Sequence, residues 1–151
     1  MLKEQFEEIL AEFGGNVKRP LALDDDGTVT FAVDDEIIIN IQYLEESESV
    51  VAFAPIGGLG NKDKPDAGER ALELLRLNEL GGSAEGFTLA LDEEADLVLA
   101  MDRRSALEFA STDSFAAWIE ALVRVVHTVR DRFAERFPAK VSASAADEGD
   151  G

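Results

Sequence analysis

The chain has 151 residues, of which 46% are hydrophobic and none is cysteine. This length and apolar content predict one folded domain with a real core, and the absence of cysteine excludes disulfides and thiolate chemistry. The 32 acidic and 14 basic side chains give a formal net charge of -18, which repels phosphate backbones and argues against direct nucleic-acid binding.

A helix and a series of short strands are predicted in the first third of the chain. Apolar residues recur at three- and four-residue spacing from Leu2 to Phe13, which predicts an amphipathic helix over residues 2–14 that ends at Gly14-Gly15. Alternating apolar residues and turn signals then predict strands over residues 21–23, 28–33, 37–44 and 50–56. The connections are short and acidic, which indicates an antiparallel meander.

Two more helices, a hairpin and a tail are predicted in the rest of the chain. The elements are a helix from Pro65 to about Asn78 that stops at Gly81-Gly82, strands over Phe87–Leu91 and Leu97–Asp102, and a helix from about Thr112 to Pro138. Residues 139–151 are small, polar and acidic, and we expect a disordered tail there after a single domain over residues 1–138.

This order of elements predicts a two-layer α+β domain in which helices at both chain ends cover one face of an antiparallel twisted sheet. The N-terminal residues lack the apolar core of a signal peptide, and no apolar run approaches a membrane span. We therefore expect a cytoplasmic protein with no membrane partner.

The sequence contains no complete motif for catalysis, metal binding or phosphate binding. If Gly27 is placed at the glycine of a calcium loop, Ala22 and Val33 fall at the first and last ligand positions, where oxygen ligands are needed. The Gly57–Lys62 segment lacks the Gly-Lys-Ser/Thr ending of a phosphate loop. His127 is the single histidine and has no cysteine to pair with. We expect no enzymatic activity, no metal and no cofactor.

Several local motifs, in their order along the chain, resemble the class I type III secretion chaperones, the Tir chaperone family. The motifs are Phe13-Gly14, Leu21–Gly27, Ala54-Pro55-Ile56-Gly57, Leu74–Asn78, and Gly86–Asp92 returning through Leu97-Val98-Leu99. The resemblance extends from about Phe6 to Phe133. It implies a homodimer that binds the non-globular N-terminal segment of a secreted effector in extended form, keeps it soluble and export-competent, and uses no ATP.

Three other functions compete with this interpretation. A regulatory module of the same fold outside secretion would bind a folded partner. A small hydrolase would need a nucleophile–base set or a metal cluster, and the sequence offers neither. A nucleic-acid mimic is suggested by the charge alone.

The partner-binding and dimer surfaces are predicted from apolar residues that are not needed for the core. The sheet face with Ile37 and Ile39 should lie under the helices, which leaves Ile38 on the opposite face. Leu2 and Phe6 are expected to stay partly exposed at the start of the first helix, and with Ile38 they form the predicted partner-binding site. The predicted dimer interface comprises Leu72, Leu75, Leu97 and Leu99. Trp118 is expected either in the core or as an interface anchor.

Overall fold

A computed structural model describes residues 2–58, 66–79 and 84–138. In those ranges the elements are α1 (Leu2–Asn16), β1 (Thr28–Val33), β2 (Ile37–Leu44), β3 (Ser49–Gly57), α2 (Ala67–Leu77), β4 (Thr88–Asp92), β5 (Leu97–Ser105), a 3-10 turn (Ala106–Glu108) and α3 (Thr112–Arg136). The predicted α+β class, with helices at both ends of an antiparallel sheet, is confirmed. Within the described ranges, no helix is long and apolar enough to cross a membrane.

The five strands form one antiparallel sheet in the order β1-β2-β3-β5-β4. Asp34 and Asp35 join β1 to β2, and both have positive φ, as the tightest hairpin turns require. The register pairs Phe31 with Ile39 and Val33 with Ile37. Since directly paired residues share a face, the apolar side chains of neighbouring strands stack on one side of the sheet.

Helices α1 and α3 cover that side, as predicted. Ile37, Ile39 and Ile41 are fully buried there, in one core cluster with Val126 and Leu122 of α3. An aromatic group fills the space between the helices and the sheet; its members are Phe6, Phe13, Phe31, Tyr43, Phe109, Phe115 and Trp118. The core therefore lies between the helix layer and a single face of the sheet.

Trp118 is a core residue rather than an interface anchor. Its side chain is buried, and its indole Nε1 donates to Oδ2 of Asp102 at 2.9 Å. The Nε of Arg104 donates to the same oxygen at 3.1 Å, and the Arg104 guanidinium lies over the Trp118 ring. The Asp102 carboxylate on β5 thus accepts the hydrogen bond of the buried Trp118 indole and fixes α3 against the sheet.

Two predicted boundaries are wrong. Residues 21–23 form no strand, so three strands rather than four precede α2. The Asp24 carboxylate accepts from the backbone N–H groups of Asp26 and Thr28, and this turn ends the short segment before it can pair with another strand. Leu21 is still buried in the core.

Helix α1 continues to Asn16 through both glycines. The predicted helix start at Pro65, the stop at Gly81-Gly82 and the tail over 139–151 lie outside the described residues.

Candidate functional site

The sheet face opposite the helices carries an apolar patch, which we call the open face. Its members are Ile38 on β2, Phe53 and Pro55 on β3, and Leu99 and Met101 on β5. The register pairs Phe53 with Met101 and Pro55 with Leu99, so these side chains are direct neighbours. Ile38 is 43% exposed and the other four are partly buried. A contiguous apolar surface on a strongly charged protein is typical of a protein-binding site.

The three residues predicted to bind the partner do not form one surface. Ile38 lies on the open face, as expected, between the fully buried Ile37 and Ile39. Leu2 lies in the helix layer on the other side of the sheet and packs against the core while staying partly exposed. Any site that uses Leu2 is therefore separate from one that uses Ile38.

The expectation that Phe6 stays partly exposed is wrong. Its side chain is 1% exposed, and its ring centroid lies 5.5 Å from that of Phe115 and 5.8 Å from that of Tyr43. Phe6 shares the inward stripe of α1 with Leu10 and Phe13, at helical spacing. It supports the fold and offers no surface to a partner.

A shallow groove lies beside Leu2, between α1 and the 3-10 turn. It has a volume of about 320 Å³ and is lined by Leu2, Gln5, Glu8, Ile9, Ala106, Leu107, Phe109 and Ala110. Leu107 is 73% exposed at its rim. The groove is a second apolar surface that could receive a helical or extended segment.

Among the described residues, no other strand pairs with the outer edge of the sheet at β1. The N–H and C=O groups of Thr28 face outward, since they bond to Asp24 in the preceding turn rather than to β2. By the alternation of antiparallel pairing, the backbone groups of Thr30 and Ala32 face outward too. The outward groups of Thr28 are thus already bonded, whereas those of Thr30 and Ala32 have no backbone partner among the described residues and can act as a template for strand addition.

The opposite edge, at β4, is blocked at Leu89. Nδ2 of Asn78 donates to the carbonyl oxygen of Leu89 at 2.9 Å, and the N–H of Leu89 donates to Oδ1 of Asn78 at 2.7 Å. The side-chain amide thus occupies both outward backbone groups of that residue. Asn78 is the C-cap of α2, so the helix is fixed beside β4 by the same contact.

The residues predicted for the dimer interface lie on two elements. On α2, Leu74 and Leu77 face the core, whereas Leu72 and Leu75 are exposed, the latter at 68%. On β5, Leu97 and Leu99 are partly buried on the face opposite the buried Val98. Their role in dimerisation stays a prediction, and the exposed side of α2 is its more accessible half.

Helix α2 is also fixed to α3 by a buried carboxylate. Glu73 is 1% exposed; Oε1 accepts from Nη1 of Arg76 at 3.1 Å, and Oε2 accepts from Nη1 of Arg132 at 3.1 Å. Nε of Arg136 lies 3.6 Å from Oε1. Burial acts to raise the pKa of Glu73, but the hydrogen bonds from Arg132 and Arg76 and the charge of Arg136 outweigh it and hold that pKa below its ordinary value.

No group of three or more potential metal ligands occurs in the part of the chain that the structure describes. His127 is exposed on α3, and the acidic turns are exposed as well. The features that stand out are therefore contact surfaces: the open face, the β1 edge, the groove beside Leu2 and the outer side of α2.

Sequence reasoning found one member of the open face, Ile38, and missed Phe53, Pro55 and Met101. A signal was present in the run Val50–Ile56, which is apolar at both odd and even positions. A strand with one solvated face should alternate, and an unbroken apolar run indicates that both faces lack solvent. That pattern was sufficient to predict an apolar patch on the far side of β3, but the prediction was not made.

Several solved structures with the same fold come from chaperone or type III secretion complexes. A chain of the HopA1-SchA chaperone-effector complex superposes with a TM-score of 0.68 at 21% identity, covering 85% of this chain and 95% of that one. The Yersinia pestis type III secretion chaperone SycH in complex with a stable fragment of YscM2 gives a TM-score of 0.61 at 20% identity, covering 82% and 98%. The heterodimeric ExoU-SpcU complex from the type III secretion system of Pseudomonas aeruginosa gives 0.57 at 17%, covering 85% and 94%. These likenesses establish the fold.

A search of curated proteins finds no match. The sequence profile of the Tir chaperone protein (CesT) family matches residues 8–130, which include every strand and most of α1 and α3. The matched region spans most of the chain and agrees with the fold and with the resemblance in the local motifs. The chain belongs to the Tir chaperone protein (CesT) family.

Proposed function

We propose that this protein is a type III secretion chaperone that binds the non-globular N-terminal segment of a secreted effector and keeps it soluble and export-competent without ATP. The observation that carries the proposal is the outer edge of β1, with which no described strand pairs, next to apolar side chains on both faces of the sheet. An unfolded segment gains main-chain hydrogen bonds at such an edge and places alternate side chains in apolar contacts.

The side chains around β1 fit this mode of binding. On the helix side, Val29 and Val33 are partly buried and pack against the core. On the open face, Ala32 is paired with the exposed Ile38. A strand added beside β1 would therefore meet apolar neighbours on both faces. Ordering an unfolded segment costs about 2–5 kcal/mol, so continuing contacts on the open face or in the groove beside Leu2 would add to its affinity.

Charge favours a basic segment as the occupant. Acidic turns flank β1, with Asp24-Asp25-Asp26 before it and Asp34-Asp35-Glu36 after it. These carboxylates are exposed and add to a net charge of -18. Lysine and arginine side chains at the ends of an incoming strand would be attracted, chiefly at the level of association rate and specificity. Affinity should then fall as salt is raised.

The proposal includes a homodimer in the bacterial cytoplasm, joined through the outer side of α2 and strand β5. The exposed Leu72 and Leu75 support α2 as the contact. A closed two-fold dimer would place two β1 edges on one assembly, so that one effector segment could wrap around both protomers. The protein has no catalytic role in this scheme, because binding alone holds the effector unfolded.

Affinity capture from the native host, followed by mass spectrometry, identifies the partner and tests the proposal. The expected partner has a segment that is unfolded when free, by circular dichroism, and becomes protected from proteolysis in the complex. Binding should persist when ATP is removed with apyrase. Capture of a partner that is fully folded when free would favour the regulatory alternative and contradict the proposal.

A proline substitution at each sheet edge locates the added strand. Thr30→Pro removes an outward N–H from β1, and Leu91→Pro removes one from β4; edge strands tolerate proline at such positions. An effector carbonyl left without its donor costs about 1–3 kcal/mol, or roughly 5- to 150-fold in Kd. Calorimetry should show this loss for Thr30→Pro alone. Equal affinities of both folded variants would exclude strand addition at β1.

A further inference from the structure

Three arginines meet around one buried carboxylate on the helix side of the molecule. The arginine cluster consists of Arg76 on α2 and Arg132 and Arg136 on α3, all paired to Glu73. The guanidinium-bearing side chains are 54%, 39% and 52% exposed, whereas the carboxylate is 1% exposed. The positive charges therefore face solvent while the negative charge lies beneath them.

This pairing differs from the other ion pairs that the structure describes. Each of those joins one cation to one carboxylate: Lys3–Glu45, Arg19–Asp35, Arg70–Asp66, Arg104–Asp102 and Arg124–Glu85. In the arginine cluster, three guanidinium groups share Glu73 and none has another described carboxylate within 4.0 Å. Counting only the described ion pairs, the cluster thus carries about two more positive than negative charges, on a protein whose net charge is -18.

Few of the N–H donors of the cluster bond to described residues. A guanidinium group has five N–H donors, and Arg76 and Arg132 each spend one on Glu73. The remaining donors point to an acceptor with carboxylate chemistry, for which arginine has a matching planar geometry. A partner of this cluster should therefore be an acidic peptide segment.

The chain itself contains such a segment shortly after the cluster in the sequence. Residues 139–151, which lie outside the described part, include Asp147, Glu148 and Asp150 and a single base, Lys140. Asp147 follows Arg136 by 11 positions. A stretch of that length spans up to about 40 Å, which is ample to return to the last turn of α3. Tethering at this distance gives an effective concentration in the millimolar range.

Most of the remaining surface repels an acidic segment, since acids outnumber bases by 32 to 14. We infer that the acidic segment Asp147–Asp150 docks on the arginine cluster of its own chain. Docking holds this segment beside Leu72 and Leu75, because Arg76 lies one helical turn after Leu72 on α2.

Paramagnetic relaxation enhancement on the full chain tests the contact. The sequence has no cysteine, so Ala146→Cys gives a unique site for a nitroxide spin label. The expected result is a selective loss of amide peak intensity around Arg76, Arg132 and Arg136 in the nitrogen-15 spectrum. The intensity should return near 1 M salt, where the Debye length falls to about 3 Å.

Two sets of variants separate docking from a change in the fold. Asp147→Asn with Glu148→Gln and Asp150→Asn neutralises the segment without changing any of the described residues, and it should abolish the selective loss. Arg76→Gln with Arg136→Gln should do the same, whereas Arg124→Gln, which removes an exposed arginine outside the cluster, should not.

Three results would overturn the inference. One is the absence of any selective loss in the labelled chain. Another is a loss at a different surface, or one that persists when the segment is neutral. The third is a loss that is equally strong when the spin label and the nitrogen-15 nuclei are on different molecules, since this would show contact between copies rather than within one chain.

Discussion

The two glycines of α1 allow a direct test of how this helix packs. A Cβ added at Gly14 would lie 2.4 Å from the carbonyl oxygen of Arg19 and 2.9 Å from the backbone nitrogen of Leu21, whereas one at Gly15 would meet nothing within 4 Å. Neither glycine has a positive φ. Gly15→Ala should therefore stabilise the protein by about 0.5–1 kcal/mol through helix propensity alone.

Gly14→Ala gains the same propensity but forces backbone atoms apart, which costs about 1–3 kcal/mol. Because the propensity gain is common to both variants, the gap between them isolates the cost of the clash. A gap of about 2 kcal/mol corresponds to roughly 4–8 °C in Tm for a chain of this size. Urea unfolding followed by far-ultraviolet circular dichroism, at one fixed protein concentration, measures it.

Two outcomes would refute this reasoning. If Gly14→Ala is as stable as Gly15→Ala, the backbone does not approach Gly14 closely. If Gly15→Ala is destabilised as strongly as Gly14→Ala, both positions need glycine for a reason other than space.

Three further predictions concern the buried ion pair, the buried indole and the dimer. Glu73→Gln should lower the free energy of unfolding at pH 7 by about 1–3 kcal/mol. The pKa of Glu73 in the folded protein is lower than its ordinary value of 4.5, so the ionised carboxylate stabilises the fold above pH 4.5. This stabilisation is lost as pH falls through the folded-state pKa. The urea midpoints of Glu73→Gln and of the natural protein should therefore converge in acid and stay apart at pH 7. Trp118→Phe removes the hydrogen bond to Asp102 and should cost about 1.5–3 kcal/mol by circular dichroism, and an unchanged midpoint would contradict that role. Leu75→Lys should shift sedimentation at micromolar concentration toward a monomer, whereas Leu107→Lys, an equally exposed change, should leave the dimer intact.

The sequence predicts most of the elements here because burial follows a regular period along the chain. The alternation in Ile37–Leu44 reports which side chains face the helices, and the spacing of Phe6, Leu10 and Phe13 reports the inner stripe of α1. The pattern does not report how completely the side chains of an apolar stripe are buried. Phe6 is expected to stay partly exposed because α1 has more apolar residues than a narrow stripe needs, yet three aromatic rings, those of Tyr43, Phe109 and Phe115, pack around its side chain and bury it.

Contacts between distant residues are the other part that local patterns miss. The glycines at 14 and 15 read as a helix stop, but a close approach of the chain at Leu21 uses the missing side chain of Gly14 instead. Likewise, Asn78 has no feature that marks it as the partner of an edge strand 11 positions later. Such contacts depend on tertiary geometry that neither propensity nor periodicity encodes.

The asymmetry of the two sheet edges limits how copies of this protein can assemble. A sheet with two open edges can join head to tail, each copy adding its first edge to the second edge of the next, and such a contact propagates without end. With Leu89 occupied by Asn78, one of the two surfaces needed for that polymer is interrupted. Pairing of β1 with β1 of another copy remains possible, but that contact is two-fold and closes on itself. The side-chain amide of Asn78 therefore allows the protein to keep the β1 edge open for strand addition by a partner. It does so without allowing head-to-tail fibres to form when the protein itself is concentrated.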